Sequence, residues 1–479
     1  MPARHSTLLT EPTPVVRTRL VSALLLAPSL LLASITFERT WYWGGGNEEA
    51  WSVEQTADGG YVVGADIGWW QNEYRVAIIK TDSLGDTLWT RPMPEQCQEG
   101  YLCLAPDGGF AIVGKHFSQT NWEDVYLVRT DSLGETRWTY RYEGPGDDYV
   151  GNLAPTADGG FIITGGFSDQ VYWNGGLIKV DSSGNLQWVK VYPEDTMFGG
   201  HSVQQTPDGG YVLCGDCINL DWSGILVKTD SLGNKLWSVI WDSGGVGAVA
   251  LSRDHGYVVA GTRGGGPETG AFLSKVDSVG DVQWTHYYQG MFPDTLYYGL
   301  AVSQCRDGGY VVTGHVNYEY VLLVRTDSLG ESLWTRRFDG FGPSSSNWGN
   351  AVRECRDGGF VIAGCASERL VYLIKTDSAG VVYVGAKEAV PAPSVSRQIE
   401  AIPNPFTRTC VFRLSWPLAD GEALTLHDAS GRLVRTLSGS LNLKWDGTDS
   451  EGRRLPAGIY FCTLDNGAKR ISRKLVLTD

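Results

Sequence analysis

Short apolar runs alternate with turn residues along most of the chain, and the alternation itself repeats. Val76-Ala77-Ile78-Ile79 leads into Lys80-Thr81-Asp82-Ser83-Leu84-Gly85-Asp86-Thr87-Leu88-Trp89. The phrase returns as Arg129 to Trp138, Lys179 to Trp188, Lys228 to Trp237, Lys275 to Trp284, Arg325 to Trp334 and Lys375 to Val384, at intervals of 47 to 50 residues. Such a run predicts a tight hairpin: Asp82 suits the first position of a type I turn, and Gly85 supplies the left-handed residue of a bulged loop. A second turn signal, Asp58-Gly59-Gly60-Tyr61, recurs at Asp107, Asp158, Asp208, Asp307 and Asp357, with Asp254-His255-Gly256-Tyr257 as a variant. Asp-Gly between alternating apolar segments predicts a further hairpin in every repeat.

Each repeat therefore reads as four strands: Trp51 to Thr56, Tyr61 to Ala65, Tyr74 to Lys80 and Leu88 to Arg91 in the first. A sheet of that size cannot bury both faces alone and must stack on its neighbours. The expected fold of residues 37–385 is all-β, a seven-bladed β-propeller of four-stranded blades. The last copy of the phrase lacks its Trp, while Phe37 to Trp43 forms an orphan strand before the first repeat. The N-terminal strand is thus expected to complete the outer edge of the seventh blade. Trp89, Trp138, Trp188, Trp237, Trp284 and Trp334 are expected to pack blade on blade, and the basic residue opening each phrase to form an edge ion pair.

Composition refines this picture. The net charge is −15, and no Lys/Arg run occurs after the leader, so nucleic acid is not an expected partner. Residues 1–36 read as a signal peptide: Arg17 and Arg19 precede the apolar stretch Leu20 to Ser34, which Pro28 interrupts. The nine cysteines are irregularly spaced and read mostly as buried apolar residues, Cys214 and Cys217 included. Cys410 and Cys462 share an inward parity and are the pair best suited to a bridge.

Residues 386–398 form a small-residue, proline-bearing linker, and residues 399–479 a separate small β-sandwich. That domain carries Asn404-Pro405-Phe406, Asp428-Ala429-Ser430-Gly431-Arg432, Trp445-Asp446-Gly447, Gly458-Ile459-Tyr460 and Lys474-Leu475-Val476-Leu477. As a set these resemble the immunoglobulin-like domain of the flagellar hook-cap (FlgD) proteins and the C-terminal sorting domains of type IX (Por) secretion. The resemblance implies a bacterial protein delivered to the cell surface or secreted, with outer-membrane secretion machinery as partner. The repeats resemble Asp-Gly-Gly repeats found upstream of such domains. They are also similar to the tryptophan-docking repeat of quinone-dependent propellers, although Asp82 to Gly85 is one residue shorter, and only the architecture carries over. No cofactor or metal is expected, and the chain is expected to be monomeric.

No recognisable catalytic motif occurs, and the six histidines beyond His5 share no spacing. The reading that follows is a non-catalytic binding protein for glycan or protein. The alternative is a secreted polysaccharide- or peptide-degrading enzyme of glycosidase or lyase type, using carboxylates at the propeller mouth from a pool that includes Glu73, Glu123, Asp124, Asp169, Asp221 and Glu319. Invariant turns do folding work, so binding is expected on the variable face. There Trp69, Trp70, Trp122, Trp173 and Trp222 would stack on a ligand, with Glu123, Asp124, Asp169, Asn174 and Asp221 as hydrogen-bonding partners.

Overall fold

The computed structural model describes residues 15–21, 35–43, 48–69, 73–117, 123–168, 173–193, 197–218, 222–242, 244–264, 270–288, 297–340, 347–366, 370–383, 399–402, 404–414, 423–437, 443–465 and 470–478. These form strands and turns, with no α-helix among them and so none long and apolar enough to cross a membrane. The chain divides into two compact units, Met1–Gly385 and Ala386–Asp479.

The first unit is built of four-stranded antiparallel sheets in a propeller-like arrangement. Two N-terminal strands, β1 (Val15–Val21) and β2 (Thr36–Tyr42), precede the first sheet, which runs β3 (Glu49–Gln55), β4 (Tyr61–Trp69), β5 (Glu73–Thr81) and β6 (Thr87–Pro92) in spatial order. Later repeats follow the same order, their first strands being Cys97–Leu104, Asp148–Pro155, Met197–Gln205, Gly244–Leu251, Tyr297–Gln304 and Trp348–Glu354. In the last repeat Leu370–Lys375 finds its outer partner in β2, from Phe37 opposite Lys375 to Trp41 opposite Val371. The expected strand exchange is therefore present. β1 lies outside β2, from Val15 opposite Tyr42 to Val21 opposite Thr36, so loss of the expected leader would leave β2 at the edge.

The repeated residues hold the repeats in two ways. Within a sheet, Asp58 Oδ1 accepts hydrogen bonds from the Gly60 amide at 3.0 Å and Thr56 Oγ1 at 2.6 Å. The buried Lys80 ammonium reaches Asp58 Oδ2 at 2.9 Å. Equivalent ion pairs join Arg129 to Asp107, Lys179 to Asp158, Lys228 to Asp208, Lys275 to Asp254, Arg325 to Asp307 and Lys375 to Asp357. Gly60 is required by crowding, because a Cβ there would lie 2.2 Å from the Thr81 carbonyl oxygen and 2.7 Å from Lys80 Nζ. Its neighbour Gly59 has φ 86° and open space around it, which is why His255 can occupy the equivalent place at φ 65°.

Between sheets, each repeat Trp packs on the aromatic residue that follows the next Asp-Gly-Gly turn: Trp89 on Phe110 at 6.1 Å, Trp138 on Phe161 at 6.1 Å and Trp188 on Tyr211 at 5.7 Å between ring centroids. The last of the series is Phe37, 5.8 Å from Tyr61. Phe37 thus does for the last and first repeats what Trp does elsewhere. Arg39 Nη2 donates to the Leu84 carbonyl at 2.8 Å, and Trp41 Nε1 donates to Thr87 Oγ1 at 2.7 Å across the same seam. On the inner side, the Arg356 amide donates to Gln55 Oε1 at 2.9 Å, as the Ala157 amide does to Gln205 and the Arg253 amide to Gln304.

The second unit comprises two sheets. One pairs Ile399–Ile402, Cys410–Leu414 and Leu443–Trp445; the other runs Leu433–Leu437, Leu424–Asp428, Gly458–Asp465 and Arg470–Leu477. They share a core that includes Phe406, Phe412, Leu426, Trp445, Tyr460 and Leu475. Cys410 and Cys462 lie fully buried in this core as thiols, so the expected bridge between them is not formed. Their apolar surroundings accommodate them without one, and burial pushes the Cys462 thiol up to about 12.

Candidate functional site

The first strand of every repeat lines one central cavity of about 770 Å³. Strand register distinguishes its two ends. Glu49 stands opposite Asp66, towards the β4–β5 connection, and Gln55 stands opposite Tyr61, beside the Asp-Gly-Gly turn. Polar and aromatic groups collect at the first end, on the side of the variable connections. Trp51, Glu99, Tyr101, Tyr149, His201 and Asn350 contribute to the lining there, whereas Gly247–Leu251 and Leu300–Val302 supply a wall of mostly small apolar residues.

The polar arc is built from positions where the repeats differ. β3 has a register shift between Ala50 and Ser52, which sets Trp51 outside regular pairing. Trp51 Nε1 donates to Asp66 Oδ2 at 3.1 Å, and its ring lies 5.5 Å from that of Tyr101. The second repeat has a longer irregularity between Gln98 and Tyr101, where Glu99 adopts φ 64°. This conformation is strained for a residue with a Cβ. It directs the Glu99 amide to Asp66 Oδ1, at 2.8 Å. Lys115 Nζ then reaches both Glu99 Oε1, at 3.5 Å, and Glu123 Oε2, at 3.4 Å. Burial pushes the Asp66 carboxyl well above the usual carboxylate range against the hydrogen bond from Trp51, and the negative charges of Glu49 and Glu99 add to the rise. Burial also raises Glu99, outweighing the opposing pull of Lys115.

Two further groups complete the arc. Glu49 accepts hydrogen bonds from Trp348 Nε1 and, at 2.5 Å, from Asn350 Nδ2, joining the first repeat to the last. His201 places Nδ1 3.1 Å from the Val246 carbonyl and Nε2 3.5 Å from Asp216 Oδ2. A carbonyl only accepts, so Nδ1 carries the proton, and the Nε2–Asp216 contact needs a second proton shared by the pair. Burial raises Asp216 towards its protonated form, against the pull of His201. Tyr149 stands between Glu99 and Asp216 electrostatically: burial and then these two charges hold its hydroxyl protonated. A Cβ on Gly199 would fall 1.1 Å from the Tyr149 hydroxyl oxygen, so the tyrosine needs glycine there.

The residues singled out in the sequence fare unequally. Trp70, Trp122, Asp169 and Asp221, and the side chains of Glu73, Trp69, Trp173 and Trp222, lie outside the described residues. Glu123 borders the polar arc through Lys115. Asp124 is buried, and burial, then the charge of Glu143, raises its carboxyl. In the second unit the motif residues converge. Asn404 brackets the last strand, donating to the Lys474 carbonyl and accepting from the Val476 amide, both at 2.8 Å. Phe406 and Tyr460 pack on Trp445 at 5.4 and 5.2 Å. Gly431 turns at φ 85°, and Asp446 accepts from the Thr448 amide at 3.1 Å. Gly458 opens the strand that pairs with the last one, opposite Leu477. Phe406, Trp445 and Tyr460 are buried in the domain, whereas Asn404, Pro405, Gly431, Asp446, Gly458 and Lys474 are exposed.

Glu99, Asp66, His201 and Asp216 were not singled out. The available signal was polar Gln98-Glu99-Gly100 in a first strand and Asp216 between Cys214 and Cys217.

No protein-family model matches the chain, and no curated protein matches it in sequence. Among solved structures, a protein of unknown function from Bacteroides caccae is similar at 12% identity and TM-score 0.37, over 57% of this chain and 96% of its own. One from Dyadobacter fermentans is similar at 11% identity and TM-score 0.43, over 70% and 96%. Puromycin hydrolase is similar at 14% identity and TM-score 0.44, over 78% of this chain and 57% of the hydrolase.

Proposed function

We propose that the protein is an exported bacterial binding protein whose seven sheets close into a propeller and take a glycan at the polar end of the central cavity. Residues 1–36 would act as the signal peptide, and residues 399–479, immunoglobulin-like by resemblance, as the sorting domain that engages the secretion machinery. The observation that carries the binding reading is the joining of three aromatic side chains, Trp51, Tyr101 and Tyr149, with Glu99, His201 and Asn350 along one arc of the cavity, facing the mostly apolar wall of Gly247–Leu251 and Leu300–Val302. Aromatic faces stack on sugar rings, and the polar groups fix orientation.

A glycan screen tests this directly. The parent should bind at least one oligosaccharide class, and Tyr101→Ala should weaken that binding at least ~10-fold, about 1.4 kcal/mol. Binding that Tyr101→Ala leaves unchanged would place the ligand elsewhere. One observation favours a hydrolytic reading as the second choice: Glu99 is a carboxyl raised by burial beside a second buried carboxyl, Asp66. Turnover of a bound oligosaccharide that Glu99→Gln abolishes would establish that reading instead.

A further inference from the structure

Resting on the cavity reading above, we propose that the ligand carries a primary ammonium group on a polyhydroxylated body, an amino sugar being the simplest such class, with the ammonium seated against Glu99 beside Tyr101 and Tyr149. The sign of charge at this end decides against the other classes. Among the described residues, Glu49, Asp66, Glu99, Glu123 and Asp216 supply carboxyl groups around the polar arc, faced by the cations Lys115 and, when protonated, His201. Lys115 is already divided between Glu99 and Glu123. Glu49 is engaged by Trp348 and Asn350, and Asp66 by Trp51 and the Glu99 amide. Glu99 is the carboxyl of this group that itself lines the cavity.

A ligand that fills the cavity displaces water and strengthens every charge interaction left inside. A carboxylate brought there would add to the repulsion already felt among Asp66, Glu49 and Glu99, whereas an ammonium would relieve it. The rings of Tyr101 and Tyr149 reinforce the choice, since the negative face of an aromatic ring attracts cations. No group of three His, Cys, Asp or Glu side chains among the described residues could hold a metal ion, so the favoured cation is organic. The wall formed by Gly247–Leu251 and Leu300–Val302 carries no charge to compete for the ammonium, and its small side chains leave room for the rest of the ligand.

The test compares three probes on the full chain by calorimetry at mildly acidic pH: a glucosamine oligomer, the matching N-acetylglucosamine oligomer and a galacturonate oligomer. The glucosamine oligomer should bind at least ~10-fold more tightly than its acetylated form, with galacturonate weakest. Glu99→Gln should remove the preference while leaving the melting temperature within a few degrees of the parent. Lys115→Met, which frees Glu99 from its internal cation, should enlarge it, and this variant decides the matter if Glu99→Gln does not fold. Equal or tighter binding of the acetylated or the acidic oligomer overturns this inference and leaves the cavity reading standing. Failure of all three to bind overturns the saccharide reading itself.

Discussion

At the scale of single residues, the repeated glycines separate two physical demands. At Gly59 the demand is conformational, whereas at Gly60 it is space, because the Thr81 carbonyl oxygen stands 2.2 Å from the place of a Cβ. Chemical denaturation should therefore show Gly59→Ala costing about 1 kcal/mol and Gly60→Ala about 3 kcal/mol. Equal costs would mean that the second turn glycine is tolerated by local relaxation. A second prediction concerns Asp148, which burial, against the amide bonds from Ser168 and Gly144, pushes up to about 7. An acid raised in the folded state stabilises the fold while it is protonated. Its contribution is present below the unfolded value near 3.9 and declines as pH rises towards about 7. The turn aspartates work oppositely. Burial lifts Asp58, but hydrogen bonds from Thr56 and Lys80 prevail and hold it at about 2, so its contribution is lost only as pH falls below the unfolded value. Thermal melts of Asp148→Asn should accordingly lose several degrees of the parent's decline between about pH 4 and 7. An unchanged decline would reassign it to other groups.

At the scale of elements, strand identity and turn type were legible in the residues, because the same physical requirements recur seven times and stand out against everything that varies. The role of Phe37 was legible for the same reason, since a missing Trp at one end matched a surplus strand at the other. The cavity was not. Trp51, Glu99, His201 and Asn350 come one from each of four repeats, at positions where the residue is not kept, and all four stand at bulges that alternation cannot register. Regularity announces scaffolding and conceals the site. Trp188 illustrates the legible half: it packs on Tyr211 of the next repeat, and Trp188→Ala should cost about 3–5 kcal/mol. A loss below about 1 kcal/mol would show that the seam between repeats is held by the strands' own hydrogen bonds instead.

At the scale of the whole molecule, the two compact units divide at Gly385, and each has a core of its own. Residues 37–385 expressed alone should keep the parent's main melting transition, whereas removal of residues 37–43 should lower it by more than any comparable terminal truncation. Retention of the parent's melting temperature by the shorter chain would show that β2 is not needed to hold the last sheet. Loss of residues 399–479 should leave the protein in the periplasm of a host with the matching secretion pathway, and normal surface display without them would end the sorting proposal.

The pairing of β2 with the last repeat also sets an order of events. The Thr36 hydroxyl accepts from the Tyr383 amide across 347 residues of sequence, so β2 waits for the end of the first unit to be made. Contacts that distant form late, because the intervening chain must be confined before they give anything back. β2 would then be the last strand to join the first unit and, by the same reasoning, the first to leave it.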